Sequence, residues 1–233
     1  YAFMNQNKAL KDKALRQAIL RSLDKVSYTQ NLLQGSATPG KAPVPPTLDF
    51  GFNELVDENS YSPVSAKEIL KNAGYIDKNG DGFVEKPDGS PLDLSFVIYT
   101  SREELKVYAQ AAQANLKDVG IKVTLKPVSY ETLLDMRDAG NFDMLIWNVL
   151  AANTGDPEKY LYENWHSKSA SNQTGYNNPK VDELLDALSK EFEEDKRKKL
   201  AIEIQQLIMN DASTIFFGYE TTFLYSDKKI KGL

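Results

Sequence analysis

The chain has 233 residues, 41% of them hydrophobic and 26% charged, a soluble globular composition that excludes wholesale disorder and collagen-like architecture. With 28 Lys and Arg against 33 Asp and Glu, the net charge is -5; this gives no general attraction for phosphate backbones or anionic lipid, and nucleic acid is not an expected partner. Cysteine is absent, which removes disulfides, thiolate metal sites and cysteine nucleophiles while leaving the redox compartment open.

Asp12 precedes an amphipathic stretch in which Leu15, Ala18, Ile19 and Leu23 recur at helical spacing, and Ser27 starts a shorter one closed by Gly35. Two helices are predicted there. Residues 36–64 form a proline-rich loop, because Pro39, Pro43, Pro45 and Pro46 fix backbone angles and delete amide donors. Ser65 and Glu68 make a capping box for a helix ending at Gly74. Residues 77–91 read as a hairpin whose Asn79-Gly80 and Asp81-Gly82 pairs supply positive φ.

The middle of the chain is the most regular. Leu92, Leu94, Phe96 and Ile98 alternate as a strand, and Ser101 with Glu104 forms a second capping box for a helix to Val119. After Gly120, Ile121, Val123 and Leu125 alternate again; Ser129 caps a helix reaching Ala139; Gly140 leads into the apolar run Phe142 to Val149. This βαβαβ succession predicts a mainly parallel sheet with right-handed crossovers, its last strand covered on both faces. The longest apolar stretch, Met144 to Ala152, is interrupted by Asn148 and falls well short of the ~20 residues that span a bilayer.

Asn178 with Pro179 is an N-cap and first-turn pair, followed by a stripe of Val181, Leu184, Leu185, Leu188 and Phe192. Another helix runs from about Asp195 through Leu200, Ile204, Leu207 and Ile208, with the charge run Glu191 to Lys199 as a solvated junction. Thr214 to Tyr219 and Thr222 to Tyr225 read as short strands. The expected fold class is α/β, a single lobe over residues 1–233. Tyr1 stands first and no basic segment leads an apolar stretch, so any targeting sequence is expected to lie outside the chain.

Three patterns carry possible chemistry. Asp77 to Gly82 matches the first half of a calcium loop, but Asp88 stands where a bidentate Glu is expected, and Pro87, Gly89 and Pro91 prevent the exiting helix. A hairpin is the expected outcome, with a calcium-dependent sensor as the competing reading. His166 is the single histidine, so a multi-histidine metal site is impossible; the ring is a loop-packing residue, one ligand to a carried metal, or the base of a hydrolase with Asp156 and a serine between Ser167 and Ser171. No Gly-x-Ser-x-Gly elbow, Walker loop or Rossmann glycine fingerprint occurs.

The third pattern is positional. In open parallel sheets, solutes sit beyond the carboxyl ends of the strands, here Thr100 to Arg102, Pro127 to Tyr130 and Asn148 to Pro157. The candidates for holding a polar solute are Asn148, Asn153, Thr154 and Gly155, with Trp147 or Tyr160 as an apolar wall. Asp156 is also placed to cap a helix that starts at Pro157. Arg102 and Arg137 are candidates to pair with a ligand carboxylate or to make surface ion pairs.

Several segments together resemble a known family. Asp12 with Leu15-Arg16-Gln17-Ala18-Ile19 and Asp24-Lys25, Gly35 through Pro45-Pro46, Ala73-Gly74-Tyr75 with Gly80-Asp81-Gly82, and Val119-Gly120-Ile121 are in its order and spacing. So are Gly140-x-Phe142-Asp143, Gly155-Asp156-Pro157 and Gly175-Tyr176-Asn177-Asn178-Pro179-Lys180-Val181-Asp182. The chain is similar to the extracytoplasmic solute-binding proteins of peptide and nickel ABC importers, and the resemblance covers nearly all of it.

The resemblance implies a periplasmic-binding-protein-like (type II) lobe, the second of two that close on solute, with the first lobe and an ABC permease as partners and a monomeric state. It implies an extracytoplasmic setting, periplasmic or as a surface lipoprotein anchored elsewhere, and weak solute binding by one lobe alone. In peptide-binding members an Asp ahead of the Asp-Pro turn holds the peptide amino group; the matching place here is Asn153, or Ala152 with a shifted gap. Arg137 is similar to an arginine that faces a peptide carboxylate. Asn153 to Pro157, Glu203-Ile204-Gln205-Gln206 and Phe216-Phe217-Gly218-Tyr219 look closer to nickel-binding members of Gram-positive bacteria. The expected solute is a nickel chelate or short peptide, with nickel as cargo, no resident cofactor and no catalysis.

Overall fold

The computed structural model describes residues 1–151, 155–222, 227, 229 and 230. Strand β1 is Ala2–Met4. Helix α1 is Lys13–Ser22, opened by Asp12, whose carboxylate accepts from the Ala14 amide at 2.9 Å. Its face of Leu15, Ala18 and Ile19 is fully buried. A single turn, α2 (Lys25–Ser27), is capped by Asp24 and runs into a π-helical turn over Tyr28–Leu32. Ser27 therefore closes α2 instead of opening a helix, because the Asp24 carboxylate already accepts the Ser27 amide at 3.0 Å. Strand β2 is Ala37–Pro39.

Helix α3 spans Pro63–Asn72 and starts ahead of the predicted capping box. Ser62 is the cap and Pro63 holds the first position, where its fixed φ suits the helix and its missing amide costs nothing. The 77–91 segment is a set of tight turns bridged at Ile76–Glu85 and Glu85–Pro91, with Gly80, Gly82 and Gly89 all at positive φ. Asp77 accepts the Gly80 amide at 2.7 Å and the Gly82 amide at 2.9 Å, so the calcium-like oxygens serve the loop's own backbone.

Strand β3 (Asp93–Tyr99), helix α4 (Glu103–Asp118), strand β4 (Lys122–Val128), helix α5 (Tyr130–Asp138) and strand β5 (Met144–Ile146) realise the predicted βαβαβ unit. Ser129 caps α5 as expected. The Ser101–Glu104 box does not form. Arg102 occupies the cap position of α4 without a side-chain bond, which puts Glu104 one place short of the position from which it reaches back. Helix α6 (Glu158–Trp165), helix α7 (Pro179–Leu188), helix α8 (Glu194–Asn210), β6 (Thr214–Ile215) and β7 (Gly218–Glu220) complete the chain.

The main sheet has the order β4-β3-β5-β1-β6. β3 runs parallel to β4 and β5, while β1 is antiparallel to β5 and β6. Met144, Leu145 and Ile146 of β5 are fully buried, in keeping with cover on both faces. β5 is shorter than its apolar run. Trp147 and Asn148 leave the sheet, and Val149 and Leu150 are exposed.

The predicted strand Thr214 to Tyr219 is split, since β6 belongs to the main sheet and β7 pairs with β2 in a separate ribbon. The reason is packing: Phe217 enters the main core and Phe216 enters a second cluster with Tyr160, Trp165 and the inner faces of α7 and α8. Residues 223–225 of the last predicted strand lie outside the described residues, and Thr222 is not in a strand.

Gly40 makes the split possible. Its amide donates to the Phe217 carbonyl at 3.0 Å, and a Cβ there would lie 2.4 Å from the Phe216 carbonyl oxygen and 2.8 Å from the Gly218 nitrogen. On α6, Asp156 accepts the Glu158 amide at 2.9 Å, as a cap would, and is gripped by both arms of Arg197 at 2.8 and 2.9 Å. The same guanidinium takes the Leu188 carbonyl at 2.8 Å and that of Glu191, closing α7 at Leu188. Phe192 is thereby left outside the predicted stripe, 91% exposed.

Gly40→Ala is expected to destabilise the chain by about 1–3 kcal/mol, because backbone rather than a flexible side chain blocks the added methyl; a thermal melt within a degree of the parent would contradict the close approach. Burial pushes the Asp156 carboxyl up, but its bonds to Arg197 and to the Glu158 amide, with the Arg197 charge, outweigh that and hold it below the ordinary range. Arg197→Ala is expected to cost about 1–2 kcal/mol at neutral pH. The pair's contribution is complete above the unfolded carboxyl value of about 3.9 and fades as pH falls through the lower folded value. The gap in denaturant unfolding between parent and variant should therefore narrow as pH falls below about 3.9, leaving the part due to the Leu188 and Glu191 carbonyl bonds.

Candidate functional site

Because β3, β4 and β5 are parallel neighbours, their carboxyl ends emerge along one edge. Three aromatic rings gather there: Tyr99 from the end of β3, Tyr130 from the start of α5 and Trp147 just past β5, with centroids 5.5 to 6.5 Å apart. The expected shared rim is present. Beside it lies a cavity of about 450 Å³, walled by Trp147 to Ala151, by Pro43, Pro45 and Pro46 of the proline-rich loop, by Leu105 and Tyr108 of α4, and by Tyr160 and the β7 segment.

Tyr219 holds the proline-rich loop in place. Its hydroxyl accepts the amides of Lys41 at 3.3 Å and Ala42 at 3.0 Å and donates to the Ala42 carbonyl. Burial pushes this phenol up to about 12, so it stays a neutral donor across the physiological range. Phe52 adds an edge contact to the Tyr219 ring at 5.7 Å. The wall of prolines is thus fixed by β7.

The residues singled out in the sequence divide into three groups. Trp147 and Asn148 line the cavity, and the Asn148 amide reaches the Glu220 carboxylate at 3.4 Å. Arg137 sits behind Trp147, its guanidinium 5.2 Å from that ring and tied to Asp138 at 2.7 Å, so it stiffens the aromatic wall. Arg102 stands exposed at the start of α4, 3.7 Å from Glu104. Gly155 is exposed at φ +82 with open space around it. Asn153 and Thr154 lie outside the described residues.

His166 is elsewhere. Its ring is buried between α6 and α7, stacked on Tyr162 at 4.4 Å, with Nδ1 accepting the Lys168 amide at 3.0 Å and Nε2 3.4 Å from Asp186. It packs the helices and does not line the cavity. The pairing of His166 with Asp156 considered for a hydrolase is not assembled, since Arg197 grips the Asp156 carboxylate and Ser167 donates to Asp182. Among the described residues, no three His, Asp or Glu side chains are grouped to hold a metal ion.

Sequence reasoning missed Tyr108, Glu220 and the role of Glu104. Tyr108 sits at helical spacing with Leu105 and Ala112, which reads as core, and Glu104 was assigned to a cap. Glu220 gave no signal, because only the turn of the chain at Phe216-Phe217 brings β7 beside α4. The Glu220 carboxyl is raised by burial and by the charge of Glu104.

Residues 1–172 match the family model of bacterial extracellular solute-binding proteins, family 5, middle region. Heme-binding protein A of Haemophilus influenzae is 28% identical over the whole chain, which covers 41% of that protein. The oligopeptide-binding protein AppA of Bacillus subtilis, solved with a nonapeptide, superposes with a TM-score of 0.85 at 26% identity, over 94% of this chain and 44% of that one. A nickel ABC transporter structure from Bacillus halodurans gives 0.82 at 27% identity, over 94% and 45%. The chain spans about two fifths of the length of these proteins. With a match across well over half of its residues and the same fold in both solved relatives, the chain belongs to the family 5 bacterial extracellular solute-binding proteins.

Proposed function

We propose that this chain is the second lobe of a two-lobe receptor that captures a nickel chelate or a short peptide outside the cytoplasm and passes it to an ABC permease. The observation that carries the reading is the single rim: three parallel strand ends, an aromatic wall and a proline-edged cavity face the same way, as half of a mouth must. An apolar wall with a few polar groups suits a small solute held between two surfaces. The strand-end residues Asn148, Asn153, Thr154 and Gly155, with Trp147, are the proposed contacts, and Arg102 and Arg137 border them.

Nickel, as cargo, would arrive inside a small organic chelator, since the chain has one histidine and no cysteine. His166 is then a packing residue and not a ligand. The oligopeptide reading has comparable support, from AppA and its bound nonapeptide. The receptor is proposed to work as a monomer, periplasmic or tethered to the surface by a lipid anchor outside this chain.

Calorimetric titration of the complete two-lobe protein with nickel plus free histidine, and separately with mixed tripeptides to pentapeptides, tests this. Saturable heat is expected from at least one of them, with at least tenfold weaker binding by the isolated lobe, which offers half of the contacts. Heat from peptides alone would end the nickel reading, and silence with both would end the receptor reading.

A further inference from the structure

On α4, Glu104 and Tyr108 lie four residues apart, on one face of the helix. Both end in a buried polar atom that makes no hydrogen bond: Oε1 of Glu104, which is ion-paired with Arg102 at 3.7 Å, and the hydroxyl of Tyr108. The Tyr108 side chain is only 2% exposed and lines the cavity, and its hydroxyl fills the space beside Gly218, where a Cβ would come within 2.3 Å of it. An unpaired hydroxyl in such a place is costly unless something polar meets it.

Among the described residues, negative charge prevails around this corner. Glu220, which also lines the cavity, has its carboxyl raised by burial and by the Glu104 charge, and burial together with both carboxylates raises the Tyr108 phenol. Arg102 faces them from the exposed side, 3.7 Å from Glu104. The nitrogen of Tyr1 donates to the Trp147 carbonyl at 3.1 Å. Asn148 offers Glu220 a neutral amide. Among the described residues, two carboxylates thus face one arginine, leaving one negative charge beside the unpaired Tyr108 hydroxyl.

We propose that the Glu104, Tyr108 and Glu220 corner receives a cationic nitrogen of the solute, an ammonium or guanidinium, so that the mouth selects solutes by positive charge. This rests on the receptor reading above. An ammonium has three donors and no acceptor, which matches two carboxylate oxygens and a phenolic oxygen able to accept. A solute carboxylate at the same corner would meet two like charges. The polar group sits opposite the aromatic wall, so a ligand with an apolar body and a cationic end satisfies both sides at once.

The test uses the complete two-lobe protein and paired probes, tri-alanine against N-acetyl-tri-alanine and N-acetyl-Ala-Lys-Ala against N-acetyl-Ala-norleucine-Ala, with nickel plus histidine, whose amines are taken by the metal, as a solute without an ammonium. In the parent, at least one cationic member is expected to bind tenfold or more tightly than its partner lacking that charge, and which pair shows it identifies a terminal ammonium or a side chain as the source. In the doubly substituted E104Q/E220Q protein that ratio should fall to within about twofold of unity. Tyr108→Phe, which removes one oxygen and keeps the ring, should lower it severalfold without lowering the melting temperature. A parent ratio near one in every pair, or a ratio that survives both variants, overturns this inference while leaving the receptor standing. No binding by any probe overturns both.

Discussion

The Phe216 carbonyl lies so close to Gly40 that only hydrogen fits between them, and the cavity wall is arranged around that crossing. Before it, β6 extends the main sheet; after it, β7 joins β2 and forms a ledge beside α4. Phe216 and Phe217 point into different cores, so each side of the crossing is held by burial of a large ring, on the order of 2–3 kcal/mol apiece. With the ledge in place, Tyr219 can clasp the proline-rich loop and Glu220 can stand near Tyr108. None of these positions follows from β6 or β7 alone.

A second set of constraints fixes the helical side. Arg16 is 5% exposed and spreads its guanidinium over the carbonyls of Leu10, Lys11, Asp211 and Ala212 at 2.8 to 3.0 Å, tying α1 to the end of α8. Arg197 does the same between α6 and the end of α7. In both places one planar fork meets several acceptors at once, a task for which a lysine is geometrically unsuited. The turn after β5 is thus followed by a rigid anchor.

The βαβαβ unit was legible because its strands alternate or run apolar and its helices carry clear stops at Gly120 and Gly140. The cap at Ser129 and the Asn178-Pro179 start were also readable, each resting on a local hydrogen bond or a fixed φ. β1 was not, because three residues are too few to show a period. The Ser65–Glu68 and Ser101–Glu104 boxes failed for a similar reason: a motif of four residues fits more than one register, and Pro63 or the exit of β3 decides between them. At the site, Trp147 and Asn148 were found from strand order. Glu104, Tyr108 and Glu220 were hidden because β7 comes beside Tyr108 only through a sheet switch more than 100 residues after that tyrosine.

β1 also bears on how the lobe is made. Ala2 to Met4 sit between β5 and β6, paired with residues 144–146 on one side and 214–215 on the other. The sheet therefore cannot close until residues 214–215 have followed residues 2–4 out, and contacts this distant in sequence form slowly. Until then β1, which can pair with β5 on one side, keeps an open apolar edge on the other, a template for stray pairing with other chains. A nascent lobe of this design is most exposed to aggregation just before its last strand appears, which favours shielding by a holding chaperone up to that moment.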